Sequence, residues 1–259
     1  MGKLNEMLKA WPSGTVAVQP WLAGRHIVRQ LSNKYVTGGW VERIGSGAYI
    51  RAGDRVAWQG GVYALQQQLD LPVHVGGITA LDLLGRSHFI PFGNNRSLYL
   101  YTHGKFPDRR LPKWLIQHFN TTTFTYVPTE LFSNQLGLES LDCGTFNITG
   151  SSSERALLEV LALVAKKLSF EHAYLLMEGQ DTLRVELLQA LLYDCRSYLL
   201  KRLFLYLAKK CQLPWLERLN LTTIGLGQGK RKIGNGEHYD PELKLLVPLL
   251  NIDRQQDLI

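Results

Sequence analysis

Between Arg25 and Arg51 the chain concentrates side chains whose chemistry suits the base edges and phosphates of a nucleic-acid duplex. Arg29 can donate to guanine or to phosphate, Gln30 and Asn33 can pair with adenine, and Ser32 or Lys34 can hold the sugar–phosphate backbone. Arg25 lies just ahead of this group. Arg43, Ser46, Tyr49 and Arg51 follow it, among glycines that let a main chain approach phosphates or a minor groove closely. These ten residues form the candidate DNA-binding set.

Other chemistry-bearing residues lack the spacing their chemistry needs. Gly225-Leu226-Gly227-Gln228-Gly229-Lys230 resembles a phosphate-binding loop, but Ile224 stands where that motif needs glycine and Arg231 where it needs Ser or Thr. A turn with a basic patch from Lys230, Arg231 and Lys232 is the reading preferred here. The seven histidines show no ligand spacing, and Cys143, Cys195 and Cys211 never form a Cys-x-x-Cys pair, so neither a metal nor a cofactor is expected. The thiols read as buried. Ser151 to Glu154 has capping-box spacing and no nucleophile elbow around it, so helix capping accounts for its serines and no catalytic residue is assigned. Lys201-Arg202 and Lys209-Lys210 read as a solvated helix face.

The elements that must position the candidate set follow from periodicity. Leu4, Met7 and Leu8 line one face of an opening helix that stops at Trp11-Pro12-Ser13-Gly14. Pro20 suits the first turn of a short second helix ending at Gly24. A third helix is predicted from about His26 to Thr37, where Ile27, Leu31 and Tyr35 form a narrow apolar stripe that leaves the polar residues facing elsewhere. After Gly38-Gly39, the run Trp40 to Ile44, then Gly45-Ser46-Gly47, then Ala48 to Arg51 reads as strand, turn and strand, which is a wing.

Farther along, Asp54 is placed to cap a helix through Trp58 and Leu69, and a short strand and small helix follow between Val73 and Leu84. A domain boundary is expected near Pro91-Phe92-Gly93-Asn94-Asn95, dividing the chain into 1–93 and 94–259. Strand-type runs occupy Ser97 to Thr102, Thr121 to Val127 and Thr145 to Thr149. Helices are predicted from Ser151, over Glu171 to Met177, over Leu183 to Tyr193 and over Ser197 to Lys210, with a hairpin turn near Gly234-Asn235-Gly236. The expected fold class is α+β: an N-terminal winged helix-turn-helix followed by a larger mixed α/β domain.

Composition supports this division of labour. The 259 residues are 45% hydrophobic and 20% charged, enough to bury one or two cores without disulfides or metal. No run approaches a membrane span and no secretion signal opens the chain, so a cytoplasmic protein with no membrane partner is expected. Eight Lys or Arg stand against three acidic residues between Met1 and Val56, which places five of the seven net positive charges in the first fifth of the chain. A polyanionic partner fits that asymmetry.

With these features in view, several runs resemble the AbiEi family of antitoxins: Gly39 to Tyr49, Leu71-Pro72-Val73-His74-Val75-Gly76-Gly77-Ile78-Thr79-Ala80-Leu81, Ser153-Glu154-Arg155-Ala156 opening a helix, and Gly229-Lys230-Arg231. The similarity spans nearly the whole chain in order. It implies a winged helix that represses its own operon by binding inverted repeats in the promoter as double-stranded DNA. It further implies a C-terminal domain that counters a nucleotidyltransferase toxin without a stable complex, in systems associated with phage defence. The recognition-helix and wing roles carry over to Arg29, Gln30, Ser32, Asn33, Lys34, Arg43, Ser46 and Tyr49. A monomer in solution that pairs cooperatively on DNA is expected. Two other readings stay open: a C-terminal enzyme that modifies the toxin or reverses its action, with Glu154, Arg155 and Glu159 to consider, and a winged helix that binds protein instead of DNA.

Overall fold

A computed structural model of the chain describes residues 2–86, 96–103, 110–164 and 166–250. The described residues of Met1–Val75, Phe92–Pro128 and Glu139–Gly150 make one compact unit, and those of Gly76–Pro91, Thr129–Leu138 and Ser151–Ile259 a second. Each unit is thus assembled from three separate stretches of chain. The Pro91 to Asn95 turn residues that suggested a boundary lie outside the described residues.

In chain order the helices are α1 (Lys3–Ala10), α2 (Gln19–Ala23), α3 (Arg29–Thr37), α4 (Trp58–Tyr63), α5 (Gly77–Leu83), α6 (Lys113–His118), α7 (Ser153–Leu161), α8 (Phe170–Glu178), α9 (Val185–Asp194) and α10 (Tyr198–Lys210). The strands are β1 (Ala17–Val18), β2 (Val41–Gly45), β3 (Ala48–Arg51), β4 (Val73–Val75), β5 (Arg96–His103), β6 (Thr122–Thr129), β7 (Leu138–Asp142), β8 (Asn147–Ser151), β9 (Arg231–Lys232), β10 (His238–Asp240) and β11 (Leu245–Val247).

The first unit opens with a winged helix-turn-helix. Met7 of α1 and Trp11 after it are buried with Ala17, Leu22, Ile27, Val41 and Tyr49, and Leu31 and Tyr35 of α3 pack against that cluster. Helix α3 starts three residues later than its apolar stripe suggests. The reason is His26, whose φ of 60° reverses the chain and drops Ile27 into the core before the helix begins. The wing strands β2 and β3 are antiparallel about the Ser46–Gly47 turn, and β1 adds to β3, giving the order β1-β3-β2. Asp54 does not cap α4: its carboxylate accepts from the Gly14 N–H at 2.9 Å, and Ala57 holds the cap position.

Two glutamine amides act as substitutes for backbone in this unit. α4 runs on into a π-helical turn, Ala64–Gln68. Gln68 accepts from the Val18 N–H and donates to the Val16 carbonyl, so it covers the free edge of β1. Gln66 pairs in the same way with both the N–H and the carbonyl of Thr149. A five-stranded sheet in the order β6-β5-β4-β8-β7 completes the unit, with β4 antiparallel to β5 and parallel to β8. Helix α6 packs on β2 so closely that a Cβ on Gly45 would stand 2.6 Å from the Trp114 Cβ.

The second unit is helical around one large core that includes Leu157, Leu161, Leu188, Leu192, Phe204 and Leu207. Ser152, one residue beyond the expected capping position, caps α7 by accepting from the Arg155 N–H at 3.3 Å. Ser169 and Ser197 cap α8 and α10 in the same way. The hairpin is β10 with β11, so it closes between Asp240 and Leu245. The Gly234–Gly236 run instead carries the chain from β9, which is parallel to β11, across to β10. Of the three thiols only Cys195 is buried. Cys143 and Cys211 are half-buried, against the expectation of three buried cysteines.

Candidate nucleic-acid interface

Helix α3 divides its residues by angle. At about 100° per residue, Arg29, Asn33, Thr37, Gln30 and Lys34 fall in that order within an arc of about 140°, and all five are exposed. Leu31 and Tyr35 point the opposite way into the core. The exposed arc contains no carboxylate, offers hydrogen-bond donors along its length and matches the polar face that a groove-reading helix requires.

The wing joins this arc directly. Arg43, exposed on β2, donates from Nη2 to Asn33 Oδ1 and lies 5.7 Å over the Tyr49 ring. Ser46 is exposed at the hairpin turn. Arg25 is also exposed, with its guanidinium stacked 3.9 Å over Trp21, a contact that restrains the side chain without neutralising it. Lys113, at the start of α6, adds an exposed cation beside the residue that contacts Gly45. Only packing of α6 on β2 could have revealed it, since Lys113 is remote from the wing in sequence.

Three members of the sequence-derived set are corrected by their burial. Ser32 and Tyr49 are each 1% exposed, and both reach the same acceptor, Gln19 Oε1, at 3.2 Å. Arg51 is half-buried, donates from Nη2 to the Leu8 carbonyl and lies 5.8 Å over Trp11. Ser32 lies on the core-facing side of α3 beside Leu31 and Tyr35, and on β3 Tyr49 faces the core cluster while Arg51 reaches across to Leu8 and Trp11. These residues brace α3 and β3 from behind.

Gln19, absent from the sequence-derived set, is the hub of that support. Its Nε2 donates to the Ile27 carbonyl at 3.0 Å, its Oε1 takes the Ser32 and Tyr49 hydroxyls, and its backbone N–H bonds Gly47 of the wing turn at 2.8 Å. α2, the start of α3 and the wing are fixed to one side chain. Nothing in the local pattern around Gln19 marks it.

Comparison with known proteins now decides the family. A model described as transcriptional regulator, AbiEi antitoxin N-terminal domain, matches residues 1–92. Another, described as transcriptional regulator, AbiEi antitoxin of a type IV toxin–antitoxin system, matches residues 95–248. The chain belongs to the AbiEi antitoxin family. It is accordingly a transcriptional regulator and antitoxin of a type IV toxin–antitoxin system. No curated protein matches it. Among solved structures it is similar to the RV2827C protein from Mycobacterium tuberculosis, with a TM-score of 0.59 and 15% identity over 95% of this chain and 90% of that one, a likeness of fold alone. Among the described residues no helix is long and apolar enough to cross a membrane.

The second unit of this AbiEi-family chain uses its charges differently. Glu159 is fully buried and takes hydrogen bonds from Arg155 Nε at 3.0 Å, the Ser151 hydroxyl at 2.8 Å and the Gly77 N–H at 3.0 Å. Arg155 also donates to the carbonyls of Asn134 and Leu136 and lies 4.7 Å over Phe132. Glu154 receives Arg184 through its side chain, at 2.7 and 3.1 Å, and its backbone N–H at 2.8 Å. Burial pushes the Glu154 carboxyl up, but the Arg184 bonds outweigh it and hold the group below the usual carboxylate range. The residues considered for an enzymatic reading are therefore committed to holding α7 against its neighbouring segments.

Lys201 and Arg202 correct a second expectation. Both are buried, so this part of α10 is no solvated face; Lys209 forms a surface pair with Glu242 and Lys210 remains exposed. Burial pushes the Lys201 ammonium below its ordinary value, the expected direction for a cation removed from water. Burial likewise raises the three thiols, Cys211 to about 12, which keeps it protonated at neutral pH.

Proposed function

We propose that this chain represses its own operon from the cytoplasm by binding double-stranded DNA at inverted repeats in the promoter. Helix α3 lies in the major groove, and Arg43 with the Ser46–Gly47 turn reaches the adjacent backbone. Arg29, Gln30 and Asn33 face base edges; Lys34 and Arg25 face phosphates. Ser32, Tyr49 and Arg51 serve the interface from behind, by fixing its geometry. Two copies of a solution monomer pair on the repeats, since a palindromic site calls for two reading heads one helical turn or a multiple of it apart. The part of the chain from residue 94 onward counters a nucleotidyltransferase toxin without a stable complex and without catalysis of its own.

One observation carries the DNA reading: an exposed, carboxylate-free arc of five polar residues on α3, tied to an exposed wing arginine through Asn33. Fluorescence anisotropy with the protein's own promoter and a scrambled duplex tests it. The promoter should bind more tightly, and Arg29→Ala should reduce that preference by about 1–3 kcal/mol. Lys34→Ala should weaken both duplexes alike and lower the salt slope by about one. Equal affinity for promoter and scrambled DNA overturns the proposal.

A further inference from the structure

A buried guanidinium organises the glycine-rich run from Gly225 to Gly236. Arg202, 1% exposed on α10, donates to the carbonyls of Leu226 and Gly227 at 2.9 Å, of Gly229 at 2.6 Å and of Lys244 at 3.2 Å. A trans peptide unit places its C=O and N–H on opposite sides. Drawing the carbonyls of 226, 227 and 229 inward therefore turns the N–H groups of Gly227, Gln228 and Lys230 outward. Among the described residues none of these three amides meets a protein acceptor, and residues 227–230 are all exposed. Gly227 and Gly229 have φ of 69° and 74°, the left-handed backbone from which anion-binding concavities are built.

The side chains of this run add charge of the same sign. Lys230, Arg231 and Lys232 are exposed, and no carboxylate occurs from Gly225 to Gly236; Glu237 is the first. Pairing of β9 with β11 fixes Arg231 and Lys232 at their register positions, and Lys230 Nζ lies 5.0 Å over the Tyr239 ring. The Tyr198 ring packs against Gly227, where a Cβ would stand 2.7 Å from it. Lys201 Nζ lies 5.8 Å over the same Tyr198 ring. Tyr198 is 46% exposed. Outward amides, clustered cations and an open aromatic ring are the parts from which sequence-tolerant single-strand binding surfaces are made.

We propose that the Gly227–Lys232 loop is a phosphate site for a single strand of nucleic acid, with Tyr198 as the platform for an adjoining base. This site belongs to the second unit, α3 to the first, and it stands whether or not α3 reads the promoter.

Anisotropy of the full chain with an oligothymidylate of about 12 nucleotides, across a salt series, is the test. The triple variant Lys230→Ala, Arg231→Ala, Lys232→Ala should weaken binding at least tenfold and reduce the salt slope by about two, at roughly 0.7 per phosphate contact on single strands. Tyr198→Ala should weaken it severalfold. The double variant Arg29→Ala, Lys34→Ala should leave oligonucleotide binding unchanged, while the loop variants leave specific promoter binding unchanged. Thermal melting checks that these surface variants keep the fold. Oligonucleotide affinity indifferent to the triple variant, or lost in the α3 variant, overturns the site. A triple variant that still binds the oligonucleotide yet fails to neutralise the toxin in a growth assay gives the loop to a protein partner and overturns it too.

Discussion

Helices α3 and α10 each carry cations, and they treat them in opposite ways. Arg29 and Lys34 of α3 stand in solvent, while Lys201 and Arg202 of α10 are buried with nearly every neighbour. The difference lies in the apolar residues around the charges. α3 has a narrow stripe through Leu31 and Tyr35, which anchors one side and leaves the other open. In α10, Leu200, Leu203, Phe204, Leu205, Tyr206, Leu207 and Ala208 are all buried and fall on every side of the axis, so the helix sinks into the core and takes its cations along. Those cations must then find partners, and Arg202 finds four carbonyls. A basic residue in sequence therefore announces a binding surface only when its helix has an apolar stripe on one side alone.

The strongest way to break this comparison is to unpair a buried charge. Glu159→Ala removes the carboxylate paired with buried Arg155, which keeps its carbonyl bonds alone, and takes the acceptor from the Ser151 hydroxyl and the Gly77 N–H, so it should cost about 3–5 kcal/mol in urea unfolding. A loss under about 1 kcal/mol would mean that buried charge in this unit tolerates isolation, and the contrast with α3 would fail. Next in size is Gly45→Ala, where the added methyl meets Trp114 at 2.6 Å. Overpacking of this kind costs about 1–3 kcal/mol, and thermal melting measures it.

Acid sharpens the comparison further. Glu154 has its folded pKa below its unfolded one, so its contribution is complete above the ordinary carboxylate range and is lost as pH falls through the depressed value. Melting temperature should accordingly drop on acidification, and Glu154→Gln should flatten that part of the profile; superimposable profiles would count against the Arg184 pairing. The smallest effect belongs to α3: Arg29→Ala should change stability by no more than about 0.5 kcal/mol, since the side chain is solvated. A larger cost would show that the arc is part of the scaffold.

Elements marked by periodicity or by Gly and Pro were legible from the sequence: α1, α2, the Ser46–Gly47 turn and the bounds of α10 all stand within a residue or two of expectation. Helix α6 and strand β7 were not, because Lys113–His118 and Leu138–Asp142 are too short for a period to emerge. Gly234-Asn235-Gly236 signalled a change of direction but not which strands it joins, so the hairpin was placed one connection too early. At the interface, residue type identified Arg29, Gln30, Asn33, Lys34 and Arg43 as exposed polar groups. It could not separate them from Ser32, Tyr49 and Arg51, whose partners Gln19 and Leu8 come from other segments. The Arg202 contacts were equally hidden, being made with carbonyls more than twenty residues away.

Gln19 gives the interface a mechanical character. With α3 and the wing both bonded to one amide, the two arms are held at a set separation, like the jaws of a locked calliper. Such an instrument does not close around its object. On the proposed DNA reading, duplexes whose groove width already matches the gap are favoured, and stiff ones of another width are disfavoured by the energy needed to deform them, even where no base is touched.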